Sequence, residues 1–179
     1  KTMQLCAAGA QVTAADISAR RMTRLGENLP RAGLSPNIVT ADASKCTPEE
    51  TFVAILLDAP CSGTGTLRRH PDIAWLKDEE DVARLNVTQD RLLVHALDML
   101  KPGGTLVYAV CSLQEDEGIE RINAQLVRNP QLKRVRVTPA ELPGLEDAIT
   151  PRGDVRTLPF MWAERGGLDG FYIARLTTN

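Results

Sequence analysis

Apolar positions along this chain follow two alternating rhythms. Short, nearly continuous apolar runs read as strands, and between them lie stretches with apolar residues every three or four positions, which read as helices. Residues 1–8 predict the end of a helix, closed by Gly9. Residues 11–15 predict a strand stopping at Asp16, and residues 37–40 another closing at Ala41-Asp42. Between them Ser18 suits the N-cap of a helix reaching about Arg31, with Gly33 past its end. The run FVAILL at residues 52–57 has the character of a strand buried on both faces of a parallel sheet. It ends at Asp58 and is followed by a Gly-, Pro- and Ser-rich loop over residues 59–77. Residues 78–100 predict a helix whose apolar face carries Val82, Leu85, Leu92, Leu93, Ala96 and Leu100. Lys101-Pro102-Gly103-Gly104 predicts a tight turn, residues 105–110 a strand ending at Cys111, and residues 115–128 a helix. Residues 132–137 predict a strand, and residues 156–160 and 170–176 an antiparallel addition at the sheet edge. The alternation predicts an α/β protein with a mostly parallel sheet.

A length of 179 residues with 43% hydrophobic content is enough for one domain with its own core. No apolar run approaches the ~20 residues that cross a bilayer, and no secretory signal is visible, so a cytoplasmic chain without a membrane partner is expected. Of the four cysteines, none forms a CxxC pair, so no zinc site or other metal is expected. Reduced, structural cysteine is the default, and Cys6 and Cys46 are read that way. The net charge of −2 argues against a broad phosphate-binding surface. It leaves room for an enzyme that grips one nucleotide while a separate module binds the rest. Each basic stretch taken alone (Arg68-Arg69-His70, Lys133-Arg134 with Arg136, Arg152 with Arg156) reads as a solvated face.

Chemistry concentrates at the predicted strand ends. Ligands of open α/β sheets bind beyond the carboxyl ends of the strands, and these strands end in Asp16, Asp42, Asp58 and Cys111. A carboxylate buried at such an exit needs a partner, so three acids and a thiol at four exits point to one polar site. Asp16 suits a ribose-binding acid or an ordinary turn aspartate equally, and Asp42 is equally well an Asx-type turn. In the segment Asp58-Ala59-Pro60-Cys61-Ser62-Gly63-Thr64-Gly65, Pro60 stiffens the exit, and the two glycines allow close backbone approach to a ligand.

That segment resembles the DAPCSGTG signature of the Sun-type (NOL/NOP/Sun) RNA 5-methylcytosine methyltransferases. Tyr108-Ala109-Val110-Cys111-Ser112 is similar to the family's second cysteine motif, with Val110 where the family usually has threonine. Arg156-Thr157-Leu158-Pro159 and Gly167-Leu168-Asp169-Gly170-Phe171 extend the likeness, and Lys1-Thr2 looks like the end of a glycine-rich cofactor loop. The resemblance implies a Rossmann-like class I methyltransferase fold using S-adenosylmethionine. It implies Cys111 as nucleophile, Cys61 as the cysteine that helps release product, and Asp58 as a catalytic contact to the target base. It implies cofactor binding at Lys1, Asp16, Asp42, Asp58 and Pro60. The expected product is a cytosine methylated at carbon 5 in RNA, ribosomal rather than transfer RNA. The opening strand and glycine loop of such a fold lie outside the sequence. Residues 1–179 are therefore expected to form an N-terminally incomplete catalytic domain, with an RNA-binding module upstream. The loop over residues 67–77 reads equally as an RNA-backbone contact or a plain surface loop, and His95 reads as helix packing.

Other readings remain open: a catalytically inactive methyltransferase-fold RNA-binding module, a nicotinamide-dependent oxidoreductase, and a thiol redox switch using Cys61 and Cys111. Both cysteines count against the first, and the second gives DAPCSGTG no role.

Overall fold

The computed structural model describes residues 1–45 and 51–179, so Cys46 lies outside the described residues. The chain forms two compact units, Lys1–Pro48 and Glu49–Asn179.

The first unit runs α1 (Thr2–Ala7), β1 (Thr13–Asp16), α2 (Ala19–Asn28) and β2 (Asn37–Thr40). Gly9, at φ +89°, follows the end of α1 as expected. Ser18 caps α2 by accepting a hydrogen bond from the Arg21 amide. Helix α2 stops short of Arg31 because Pro30 removes an amide donor; a single 3-10 turn follows and closes on Gly33 in the left-handed region. Strands β1 and β2 pair in parallel, with Thr13 opposite Asn37 and Asp16 opposite Thr40. Cys6 on α1 is half-buried rather than enclosed.

The second unit contains β3 (Phe52–Asp58), the one-turn α3 (Ile73–Leu76), α4 (Glu79–Asp98), β4 (Leu100–Val110), α5 (Ile119–Arg128), β5 (Leu132–Arg134), β6 (Val155–Thr157) and β7 (Phe171–Thr178). Its sheet has the order β3-β4-β7-β5, with β6 also pairing with β7. The β3–β4 pair is parallel, and everything on the far side of β4 is antiparallel. Helices α4 and α5 pack on the sheet and on each other. The core they enclose includes Leu93, Leu106, Tyr108, Val110, Ile122 and Leu176, all fully buried. Each aliphatic side chain of this kind contributes about 1.5–3 kcal/mol on burial.

Three expectations change. Strand β3 is not buried on both faces: Ile55 and Leu57 join the core, whereas Leu56, between them on the opposite face, remains 38% exposed, and Val53 at the start of the strand 71%. Lys101-Pro102-Gly103-Gly104 is no turn between elements but an irregularity inside β4. Phe52 faces Leu100 and Ala54 already faces Thr105, so the surplus residues bulge out, with Gly103 at φ +73°. Finally, residues 115–118 form a turn instead of the first turn of a helix, and α5 starts at Ile119. At Gly118 a side-chain carbon would meet the ring of Tyr172, 2.9 Å away, so the chain enters α5 against that ring.

Candidate functional site

In the first unit, Asp16 and Asp42 stand at neighbouring exits of the parallel pair. Asp16 Oδ1 accepts from the Ser18 amide (2.7 Å) and the Arg21 guanidinium (3.0 Å). Asp42 accepts from the Ser44 amide and hydroxyl, with Lys45 at 3.7 Å. These are the local turn contacts that the sequence allowed, and both side chains are only partly buried. The burial cost expected at strand exits does not apply to them. Lys1 is the exposed N-cap of α1.

In the second unit, β3 and β4 end side by side. Asp58 pairs with Ala109, and the Ala59 amide donates to the Ala109 carbonyl at 2.9 Å. Two residues past Ala109 comes Cys111, and three past Asp58 comes Cys61. The register brings their sulfurs to 3.4 Å across fifty residues of sequence. Both thiols are half-buried. The Cys61 thiol is pushed well above its ordinary value by its hydrogen bond with Cys111, by burial and by negative charge on Cys111. The arrangement therefore keeps the proton on Cys61. Asp58 itself is exposed. The exposed Pro60 carries no donor but offers its carbonyl to Gln89 Nε2 at 2.9 Å.

Beneath the cysteines lies a buried polar cluster that sequence reasoning missed. Each cysteine is followed by a serine, and both serines turn toward the carboxylate of Glu117, which is fully buried. Oε1 accepts from the Ser62 amide (2.8 Å) and from Gln89 Nε2 (3.1 Å). Oε2 accepts from the hydroxyls of Ser62 (2.5 Å) and Ser112 (2.6 Å). The buried Tyr108 hydroxyl donates to the Glu117 backbone carbonyl at 2.6 Å, and burial, with the nearby Glu117 carboxylate, raises its pKa. Glu117 falls in the segment 115–128 that the sequence predicted as a helix. The usable signals were the repeated Cys-Ser pair and Gly118 directly after the acid.

Gly65 also differs from expectation. Its closeness is to the chain's own backbone: its amide donates to the Cys111 carbonyl (3.0 Å) and its carbonyl accepts from the Gly170 amide (2.7 Å). The two distant glycine motifs are thus locked together. The basic loop after it is partly neutralised, because Arg69 grips Asp169 through Nε (2.8 Å) and a second guanidinium nitrogen, with Arg68 at 3.8 Å. Arg69 holds the Asp169 carboxyl below the usual range. Among the described residues, no helix is long and apolar enough to cross a membrane.

Solved structures share this architecture. A methyltransferase homolog protein from Pyrococcus horikoshii is 27% identical with a TM-score of 0.72, covering 93% of this chain and 53% of that one. NSun6 from Pyrococcus horikoshii, solved with SFG, is 24% identical with a TM-score of 0.77, covering 94% and 41%, a likeness of fold. The fold is the Rossmann-like fold of class I S-adenosylmethionine-dependent methyltransferases. Residues 1–177 match the family described as 16S rRNA methyltransferase RsmB/F, and the chain belongs to that family. Ribosomal RNA small subunit methyltransferase B of Klebsiella pneumoniae (strain 342) is 40% identical over 171 residues, which cover 93% of this chain. The chain spans 36% of that relative's length.

Proposed function

We propose that residues 1–179 act as the catalytic domain of an RNA methyltransferase that modifies carbon 5 of a cytosine, in ribosomal RNA, with Cys111 as the covalent nucleophile. The observation that carries this reading is the 3.4 Å approach of Cys61 and Cys111 at adjacent strand exits. Carbon 5 of cytosine is too weakly nucleophilic to take a methyl group unaided. Addition of the Cys111 thiolate at carbon 6 makes carbon 5 enamine-like and splits one hard step into easier ones. The attacking species must be the thiolate, and the raised pKa of Cys61 counts against Cys61 in that role. Loss of the carbon 5 proton to solvent breaks the carbon 6–sulfur bond and expels the Cys111 thiolate, and Cys61, which has retained its proton, serves release by donating it to the departing sulfur. Asp58, at the β3 exit, contacts the cytosine ring.

S-adenosylmethionine would supply the electrophilic methyl group. The family likeness assigns cofactor contacts to Lys1, Asp16 and Asp42 within the first unit and, separately, to Asp58 and Pro60 within the second. The fit at Asp16 is sound, because both of its contacts fall on Oδ1 and an ionised carboxylate accepts about four hydrogen bonds. The family likeness supports an RNA substrate, and the target base must leave its stack to reach a recessed thiol. An RNA-binding module upstream would supply the phosphate contacts that a chain of net charge −2 lacks.

The test is a pair of substitutions in the intact protein. Cys111→Ala abolishes methyl transfer, and Cys61→Ala accumulates a covalent protein–RNA adduct visible as a retarded band in a denaturing gel. Full activity in Cys111→Ala removes the nucleophile assignment; absence of the band removes the release role. The same sulfur approach also favours a second reading, a redox pair. Under that reading methylation persists in both variants, while a reversible disulfide is lost.

A further inference from the structure

We propose that Glu117 is a positioning residue that braces the two cysteine loops against each other, so that the separation of Cys61 and Cys111 is set through one buried carboxylate. The inference rests on the covalent reading above and deepens it. Sheet register alone places Asp58 beside Ala109, but both sulfurs lie beyond the last paired residues, where the backbone ladder no longer dictates position. Beyond the single backbone bond from the Gly65 amide to the Cys111 carbonyl, what continues the pairing is the cluster around Glu117. Ser62 and Ser112, each next to its cysteine, donate their hydroxyls to the same oxygen, Oε2. Their own oxygens are 3.2 Å apart. Thr64 ties the loops a second time: its hydroxyl oxygen accepts from the Leu113 amide (2.9 Å) and lies 3.2 Å from Ser112 Oγ.

The brace is itself anchored to rigid elements. Gln89, fully buried on α4, bridges Oε1 and the Pro60 carbonyl, and Tyr108 on β4 holds the Glu117 backbone. Four donors on one carboxylate make the buried charge tolerable. They also fix its orientation, since any rotation would strand a buried donor. A carboxylate suits this place better than its amide. All four groups facing it are donors, and glutamine would present an NH2 to two of them.

Glu117→Gln in the intact protein, with Ser62→Ala and Ser112→Ala beside it, tests the brace. The first readout needs no catalysis: the rate at which dibromobimane, a bifunctional alkylating agent, bridges Cys61 to Cys111, with the bridged peptide identified by mass spectrometry. The second is the split between kcat and KM. A displacement of the thiol by about 1 Å costs up to ~100-fold in rate, so Glu117→Gln is expected to slow bridging and lower kcat by about 10- to 100-fold while KM for RNA changes less than about twofold. The serine variants should each produce a smaller loss of both. Unchanged bridging in a folded Glu117→Gln protein overturns the brace, and so does slowed bridging with unchanged kcat. If Glu117→Gln does not fold, the two serine variants decide by the same criteria. Should wild-type protein bridge rapidly while Cys111→Ala retains full methyl transfer, the covalent reading fails, and the bridging rates alone judge the brace.

Discussion

A methyl group at Gly65 would run into the carbonyl of Gly170, a backbone atom that cannot swing aside. The prediction is that Gly65→Ala destabilises the protein by about 3 kcal/mol, the upper end for overpacking, seen as a lowered urea midpoint. A loss well under ~1 kcal/mol would mean that the loops separate easily. The neighbouring cysteines differ in a way that a titration can read. A thiol attacks an alkylating agent only as thiolate. Because the Cys61 pKa is raised, increasing the pH through the ordinary thiol range leaves Cys61 protonated. Iodoacetamide should therefore label Cys111 first between neutral pH and about 9. Cys61 should follow only afterwards, once the hydrogen bond and charge of Cys111 are gone. Peptide mass spectrometry at several pH values checks the order, and prior labelling of Cys61 would reverse the assignment. At this scale the two cysteines and Asp58 were legible from residue type and motif. Glu117 was not, because burial of an acid is decided by what packs around it and leaves no local mark.

Among the elements, α4 is the one most completely written in its own residues. Asp78 accepts from the Asp81 amide at 2.8 Å, the Asp81 carboxylate accepts in turn from the Asp78 amide, and Glu79 and Glu80 add charge that suits a helix N-terminus. Asp78→Ala should cost about 1 kcal/mol, measured by thermal melting, and because α4 carries Gln89, any larger effect on activity than on stability would trace to the polar cluster. Helix α4 and strands β1, β2 and β3 were readable because apolar period, caps and breakers act within a few residues. The start of α5 and the interior of β4 were misread for the opposite reason. A glycine pair that breaks structure in isolation is absorbed by β4 once β3 and β7 pair with it. The acidic residues at 115–117 look helical until the Tyr172 ring and the serine loops claim them.

For the molecule as a whole, calorimetry on the intact protein should detect binding of S-adenosylhomocysteine and none of NAD; the reverse result would favour an oxidoreductase on the same fold. Alternating strand and helix patterns, the acids at strand ends and the two Cys-Ser pairs were determined by the sequence alone, since side-chain chemistry and hydrophobic period are properties of short segments. Tertiary structure decided which of those residues meet. The parallel register of β3 and β4 brings Cys61 to Cys111, and Gly170, directly before β7, which runs antiparallel to β4, supplies the contact that clasps the DAPCSGTG loop. Pairing across such distances in the chain depends on hydrogen bonds and burial that exist only after the sheet has formed. The same holds for the exposure of Leu56 on β3, the engagement of Arg69 by Asp169 and the enclosure of Glu117.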